Sequence, residues 1–272
     1  MLDSYAVIGN PISHSKSPLI HTAFAQQTHQ SMQYVAILAP LDGFHTTVAS
    51  FQQQGGKGLN VTVPFKLEAF QLSTRLTERA TIAQAVNTLK FEDNEILGDN
   101  TDGAGLVRDI ELNLGIPIAA KRVLLMGAGG AARGVILPLL QQKPSILAIA
   151  NRTPHKAEVL QQQFISYGNI VAGDFMSFSD ENFDIIINAT SASLHDALPE
   201  LPASVFAHTA LAYDMMYSHE PTRFLKFAQQ NGARHLADGI GMLVEQAAES
   251  FFLWRGIRPQ TKPVIAMLKS QI

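Results

Sequence analysis

Short apolar runs alternate with amphipathic segments through most of this chain, and the alternation starts twice. In the first series, residues 5–8 (Tyr-Ala-Val-Ile) read as a buried strand. A helix follows to about residue 27, with Ser17 suited to the N-cap and Pro18 to the first helical position. A strand near 34–38, a helix near 41–53, a break at Gly55-Gly56 and a strand over 58–63, ended by Pro64, continue the pattern. Such β/α alternation predicts a parallel sheet. Residues 65–80 read as helix broken near Ser73, and 86–91 with 95–97 as a β-pair around a turn at 92–94. A helix over about 102–114 turns Leu106, Val107, Ile110 and Leu114 inward.

The second series begins at Lys121. Strands are expected at 123–126, 145–150, 185–189, 210–214 and 233–236, and helices after the first of them and at 156–164 and 221–230. Two helices, about 242–254 and 262–269, close the chain. The change of series, with no low-complexity linker, places a domain boundary near 101. The expected fold is α/β in two domains. Residues 1–101, completed by the C-terminal helices of 238–272, form a first domain with a mainly parallel sheet. Residues 102–237 form a Rossmann-type domain.

That second domain carries the clearest local chemistry. The strand at 123–126 runs into Gly127-Ala128-Gly129-Gly130-Ala131-Ala132, and an apolar helical pattern follows. This is the glycine-rich turn of a dinucleotide-binding βαβ unit, in its alanine-ended variant. Gly127 makes the tight turn, Gly129 admits the pyrophosphate close to the backbone, and Ala132 lets helix and sheet pack. The helix N-terminus offers unpaired N–H groups to phosphate. At the end of the next strand, where NAD-binding chains place a carboxylate, stands Asn151-Arg152-Thr153. Arg152 supplies a fork of donors that matches a ribose 2′-phosphate, and Thr153 a hydroxyl, so NADP is favoured over NAD. Arg133 is either a second phosphate neighbour or simply exposed.

Composition narrows the classes. With 272 residues, 46% of them apolar, two ordinary domains and a sizeable core are affordable. A net charge of −3, dispersed, argues against nucleic acid or a polybasic membrane surface. Having no cysteine, the chain has neither disulfides nor thiolate metal sites, and its nine histidines show no ligand spacing, so no metal is indicated. The N-terminus lacks a signal-peptide pattern and no apolar run could span a membrane, which leads to a cytoplasmic reading.

In the first domain, Asn60-Val-Thr62-Val-Pro-Phe-Lys66 ends a strand and presents polar groups at its carboxyl edge, where open α/β sheets bind ligands. Lys66 with a carboxylate could hold a hydroxyl and pass a proton. Asp102 is the obvious partner. The alternatives are a solvated lysine on a first helical turn and an aspartate serving as N-cap.

The segments Gly9-Asn-Pro-Ile-Ser-His-Ser-Lys-Ser-Pro18, Asn60-Val-Thr-Val-Pro-Phe-Lys66, Ala85-Val-Asn-Thr88, Gly98-Asp-Asn-Thr-Asp-Gly103 and Gly127-Ala-Gly-Gly-Ala131 together resemble the shikimate dehydrogenases. Asn151-Arg-Thr153, Tyr213-Asp-Met-Met-Tyr217 and Asp238-Gly-Ile-Gly-Met-Leu-Val-Glu-Gln246 extend the resemblance over the whole chain in the family's order. It implies NADPH-dependent reduction of 3-dehydroshikimate to shikimate, in chorismate and aromatic amino acid biosynthesis, with Lys66 and Asp102 as the catalytic pair. It implies Ser15, Ser17 and Tyr217 on the substrate carboxylate, and Asn60, Thr62, Asn87 and Gln246 on ring hydroxyls. Around NADP it implies Glu78, Gly127, Ala128, Gly129, Gly130, Ala131, Asn151, Arg152, Thr153, Met215 and Gly239. Ser193 stands where the family usually has glycine. The partner is a small-molecule substrate held between two domains, the protein itself a monomer or homodimer. Rival readings are a quinate/shikimate dehydrogenase that also uses NAD, a binding module without turnover, and a related dehydrogenase for another carboxylated ring.

Overall fold

The computed structural model of the chain describes residues 2–190 and 201–271. It divides into two compact units, residues 1–105 with 244–267 and residues 106–243 with 268–272. Each is a six-stranded sheet flanked by helices.

The first unit contains β1 (Asp3–Gly9), β2 (Met32–Leu38), β3 (Gly56–Val61), β4 (Arg75–Leu76), β5 (Thr88–Glu92) and β6 (Glu95–Asp99), in the order β2-β1-β3-β5-β6-β4. The pairs β2/β1, β1/β3 and β4/β6 are parallel, while β5 runs antiparallel to both β3 and β6. Within strand β1 the run Tyr5–Ile8 is apolar without interruption because both its faces are covered. Ala6 and Ile8 enter one core with Phe44, Val48, Leu59 and Phe65. Tyr5 and Val7 enter another with Ile12, Tyr34 and Trp254. The covering helices are α1 (Ser17–Gln27), α2 (Phe44–Gln53), α3 (Lys66–Leu72), α4 (Glu78–Ala83) and α9 (Ile240–Arg255).

The second unit contains β7 (Arg122–Met126), β8 (Ile146–Ala150), β9 (Ile170–Gly173), β10 (Ile185–Asn188), β11 (Leu211–Asp214) and β12 (His235–Ala237). Their order is β12-β11-β10-β7-β8-β9, every pairing parallel. Counted within the unit this is 6-5-4-1-2-3, the doubly wound arrangement of dinucleotide-binding sheets, whose order reverses between β7 and β10. Helices α6 (Gly130–Gln141), α7 (Pro154–Phe164) and α8 (Arg223–Gln230) belong to this unit.

Several local expectations change. The break near Ser73 holds a strand, β4, tied by Thr74 N–H to Ile96 O (3.0 Å) and Thr77 N–H to Gly98 O (3.0 Å). Two residues are too few for a periodicity to register. Strand β9, four residues at the sheet edge, likewise has too weak an apolar run to stand out. Ser17 is not the cap of α1: it is the first helical residue, and its N–H donates to Ser15 Oγ at 3.3 Å. Asp102 is also inside its helix, α5 (Asp102–Arg108), whose Gly105 N–H donates to Thr101 O, so its carboxylate is free of capping duty. Beyond Arg108 the helix widens to π geometry over Asp109–Asn113. The Asp109 carboxylate there accepts the Tyr213 hydroxyl at 2.7 Å.

His21 of α1 is fully buried, stacked 4.2 Å from Tyr34 at an interplanar angle of 8°. Neither ring nitrogen has a hydrogen-bond partner among the described residues. Burial pushes His21 down to about 3, opposed in part by the neighbouring Asn60 side chain. The unfolded chain therefore takes up a proton below about 6.5 that the folded chain refuses, so this stabilisation is complete above that pH and lost as pH falls toward 3. At pH 5 the loss is roughly 2 kcal/mol, and it is insensitive to the folded value as long as that stays well below 5. His21→Phe keeps the ring stack and removes the proton. Its urea-denaturation stability should fall less between pH 7.5 and pH 5 than that of the natural protein, and an equal fall would contradict this account.

Candidate active site

In the first unit four loop or strand ends meet at one sheet edge. β1 and β3 run parallel and end together, leading to Ser15/Ser17 and to Thr62 and Lys66. Because β5 is antiparallel, its start lies beside the end of β3, with Thr88 opposite Asn60. The end of β6 returns to the same edge, with Asp99 opposite Thr88, and Asp102 follows three residues on. The carboxyl edge of a parallel sheet is thus extended by a hairpin that brings Asn87 and Asp102 to it.

Lys66 Nζ lies 2.5 Å from Asp102 Oδ2, with the two side chains 21% and 10% exposed. The pair is neither solvated away nor sealed, so a bound molecule can reach the ammonium. Asn87 Nδ2 donates to Asp102 Oδ1 at 2.8 Å, and Gln246 Oε1 lies 3.4 Å from both Asn87 Nδ2 and Thr101 Oγ1. The sharp turn into α5 is anchored from below. Asp99 is buried and accepts Arg79 Nε and Nη2 at 2.7 and 2.5 Å, the Thr77 hydroxyl at 2.6 Å and the Asn100 N–H at 2.7 Å. Arg79 also reaches Glu249 of α9 at 3.3 Å. A buried charge needs such pairing.

Asn60 is placed differently from its neighbours. Its Oδ1 accepts the Tyr34 hydroxyl at 2.7 Å, and its Nδ2 donates to Thr88 Oγ1 and Ser250 Oγ at 3.1 and 3.0 Å. The carboxamide is engaged inside the protein. Ser17 is buried at the start of α1, Ser15 and Thr62 are half-buried, and Glu78 is exposed at the first position of α4.

In the second unit the glycine turn follows β7 at the point where the strand order reverses. Gly127 has φ +107°, and a Cβ there would stand 3.1 Å from Ala189 O, so both conformation and space call for glycine. Its N–H donates to Ala150 O at 2.7 Å. A Cβ added at Gly129 or Gly130 would meet nothing within 4 Å, so the turn presents bare backbone at the start of α6. Ala131 is exposed, Ala128 half-buried, and Ala132 fully buried against the sheet. After β8, Asn151 Nδ2 donates to Thr153 O at 2.8 Å and curls the turn, leaving Arg152 exposed. No partner pairs with the Arg152 guanidinium among the described residues. Arg133 is instead held to Gln163 Oε1 at 2.9 Å. Gly239 touches Met215: a Cβ at 239 would lie 2.2 Å from Met215 O, so only glycine fits. Tyr217 is half-buried, and burial raises its hydroxyl above the usual tyrosine range, leaving it a neutral donor.

These two arrangements match known proteins along the whole chain. The profile described as shikimate dehydrogenase substrate binding domain matches residues 7–89, that of shikimate / quinate 5-dehydrogenase residues 111–197, and that of the shikimate 5'-dehydrogenase C-terminal domain residues 239–269. A shikimate dehydrogenase (NADP(+)) of Nitrosomonas eutropha is 65% identical over 272 residues, covering 100% of this chain and 98% of that one. The chain belongs to the shikimate dehydrogenase family. Among solved structures, an Ael1 enzyme from Pseudomonas putida is 53% identical with a TM-score of 0.95, over 98% of each chain. A shikimate 5-dehydrogenase from Thermus thermophilus, solved with NADP(H) and shikimate, is 29% identical with a TM-score of 0.88 over 100% of each.

Within this shikimate dehydrogenase family member, sequence reasoning singled out Lys66, Asp102, Asn87 and Gln246, which the fold brings into one hydrogen-bonded group. It also named Met215 and Gly239, which touch. It passed over Thr88, Thr101, Ser250 and Tyr34. Thr88 and Thr101 stand inside recognised segments but carried no separate signal. Ser250 is one helical turn beyond Gln246, a spacing that could have marked it. Tyr34 lies in a strand with nothing to distinguish it from a core aromatic. Ser193 lies outside the described residues. Among the described residues no helix is long and apolar enough to cross a membrane.

Proposed function

We propose that this chain is an NADP-dependent shikimate dehydrogenase that reversibly reduces 3-dehydroshikimate to shikimate, in the cytoplasm, within chorismate and aromatic amino acid biosynthesis. The observation that carries the reading is the Lys66–Asp102 pair, 2.5 Å apart and still open to a bound molecule. The unit of residues 1–105 with 244–267 chiefly serves the substrate, and that of 106–243 with 268–272 chiefly the cofactor.

Lys66 Nζ gives its proton to the oxygen that gains charge as the ring carbonyl is reduced, and takes it back in the reverse direction. Asp102 holds Lys66 in place through Oδ2 and orients ring hydroxyls. Asn87 and Gln246 line the same group, and Thr62 stands on the same edge. An amide or hydroxyl so placed rejects analogues that lack the matching group. Asn60 supports this lining from beneath, because its amide is already bonded inward. Ser15 and Ser17, beside the first turn of α1, take the substrate carboxylate with the neutral Tyr217 hydroxyl. Correct placement of the ring supplies much of the rate.

NADPH, when bound, supplies the hydride. The residues that would hold it fit. The bare backbone of Gly127, Ala128, Gly129, Gly130 and Ala131 at the α6 N-terminus suits a pyrophosphate. Asn151, Arg152 and Thr153 form a turn without a carboxylate and with a guanidinium unpaired among the described residues, which suits a 2′-phosphate. Glu78, Met215 and Gly239 complete the set. The same turn counts against a quinate-oxidising enzyme that prefers NAD. The accessible lysine–aspartate pair counts against a binding module without turnover.

Nicotinamide absorbance, followed with shikimate and quinate against NADP+ and NAD+, should show shikimate with NADP+ as the best pair by a wide margin. Equal turnover of quinate with NAD+ would overturn the specificity. Lys66→Ala should lower kcat by about 10²–10⁴-fold, the range of general acid–base catalysis, with a much smaller change in KM for shikimate. A surviving kcat would reduce Lys66 to a binding residue. Arg152→Ala should raise KM for NADP+ by about tenfold or more and leave that for NAD+ nearly unchanged, as expected for loss of a charge-assisted contact to phosphate. A parallel rise for both cofactors would remove Arg152 from the phosphate site.

A further inference from the structure

A directed line of hydrogen bonds runs through the interior of the first unit and ends on Asp102. The Tyr34 hydroxyl donates to Asn60 Oδ1 (2.7 Å), Asn60 Nδ2 to Thr88 Oγ1 (3.1 Å), Thr88 Oγ1 to Asn87 Oδ1 (2.9 Å), and Asn87 Nδ2 to Asp102 Oδ1 (2.8 Å). Its sense is dictated by groups that cannot reverse. The Thr101 N–H can only donate, and it does so to Asn87 Oδ1 at 2.9 Å, so Asn87 Nδ2 must face Asp102. The Asn87 backbone carbonyl can only accept, and Asn60 Nδ2 faces it at 3.4 Å, so Asn60 Oδ1 must face Tyr34. Thr88 Oγ1 also lies 2.8 Å from Ser250 Oγ, which accepts from Asn60 at 3.0 Å; with Ser250 donating in that contact, Thr88 Oγ1 gives its own proton to Asn87 Oδ1. Burial holds the Tyr34 hydroxyl well above the usual tyrosine range, so it stays a donor. Hydrogen bonds aligned head to tail in a dry interior strengthen one another.

We infer that this relay sets the orientation of Asp102 against Lys66, and that Thr88 at its centre and Tyr34 at its far end are positioning residues. The inference rests on the reading of Lys66 and Asp102 given above. Thr88 is fully buried, so it acts through Asn87 and not by touching substrate. Its hydroxyl both relieves Asn60 of a donor and holds the Asn87 amide edge-on to the carboxylate. Without it a buried donor and acceptor are each short of a partner, and the Asn87–Asp102 contact can drift. A drift of this kind costs rate because the pair must meet the substrate in one geometry.

Thr88→Val keeps shape and strand propensity and removes the hydroxyl; Thr88→Ser keeps the hydroxyl. With shikimate and NADP+, Thr88→Val should lower kcat by about tenfold, a buried hydrogen bond's worth, with KM for NADP+ unchanged. Thr88→Ser should stay within about twofold of the natural protein, and in an Asn87→Ala background Thr88→Val should change kcat by less than about twofold, since the two act as one unit. A Thr88→Val kcat within about twofold of the natural value, a Thr88→Ser enzyme as slow as Thr88→Val, or a full tenfold loss persisting in Asn87→Ala would each overturn the inference. Should Thr88→Val not fold, Tyr34→Phe, which retains the stack on His21, takes its place. About a threefold fall in kcat that vanishes in Asn87→Ala supports the relay, and no fall overturns it. Lys66→Ala measured alongside separates the two claims. An inactive Lys66→Ala with normal Thr88→Val sinks only the relay, whereas an active Lys66→Ala sinks the role of the pair itself.

Discussion

The first unit depends on the complete use of one residue's hydrogen-bonding capacity. Asn87 takes the Val61 N–H on its carbonyl (2.7 Å) and gives its own N–H to Asp99 O (3.0 Å), so its main chain ties the ends of β3 and β6. Its carboxamide meanwhile accepts from Thr101 and Thr88 and donates to Asp102. Buried polar groups are costly when unpaired. That penalty locks the backbone and the side chains to one arrangement, and the Lys66–Asp102 geometry follows from it.

The two units solve opposite problems. Around Asp102 the protein has to bury amides, hydroxyls and charges beneath a site, and each must find a partner: Arg79 for Asp99, Thr88 and Ser250 for Asn60. At the glycine turn it has to leave polar backbone unpaired and uncovered. Gly127 holds a conformation closed to other side chains, and Gly129 and Gly130 keep space above the α6 N-terminus. Rigidity comes from saturation in one unit and from strand register in the other, where five parallel pairings place the turn at the reversal of strand order.

Most of the fold was legible along the chain. Buried strands such as β7 and β10, and the Tyr5–Ile8 part of β1, are apolar runs bounded by glycine or polar residues, and α10 (Lys262–Lys269) lies where its periodicity put it. What escaped was short or peripheral. β4 has two residues and β9 lies at an edge, so neither concentrates enough apolar surface to be read. Helix starts moved by one to three residues, α2 from 41 to Phe44 and α8 from 221 to Arg223 among them, because caps are decided by which oxygen reaches which N–H. Ser15, not Ser17, met the N–H at the start of α1.

The amino-acid sequence by itself determined the local chemistry: a glycine turn for pyrophosphate, a carboxylate-free strand end for a 2′-phosphate, a lysine after a strand-ending proline, and an aspartate opening a helix. Those are properties of neighbouring residues and of backbone conformation, which short range dictates. Only the tertiary structure gave the geometry in which Lys66 meets its expected partner Asp102, 36 residues away, and placed Tyr34, Asn60, Thr88 and Ser250 behind them. Such contacts depend on the antiparallel insertion of β5 and β6 beside β3 and on the register Asn60–Thr88–Asp99. No periodicity records a register between strands; it is set by whether every buried donor and acceptor can be paired at once.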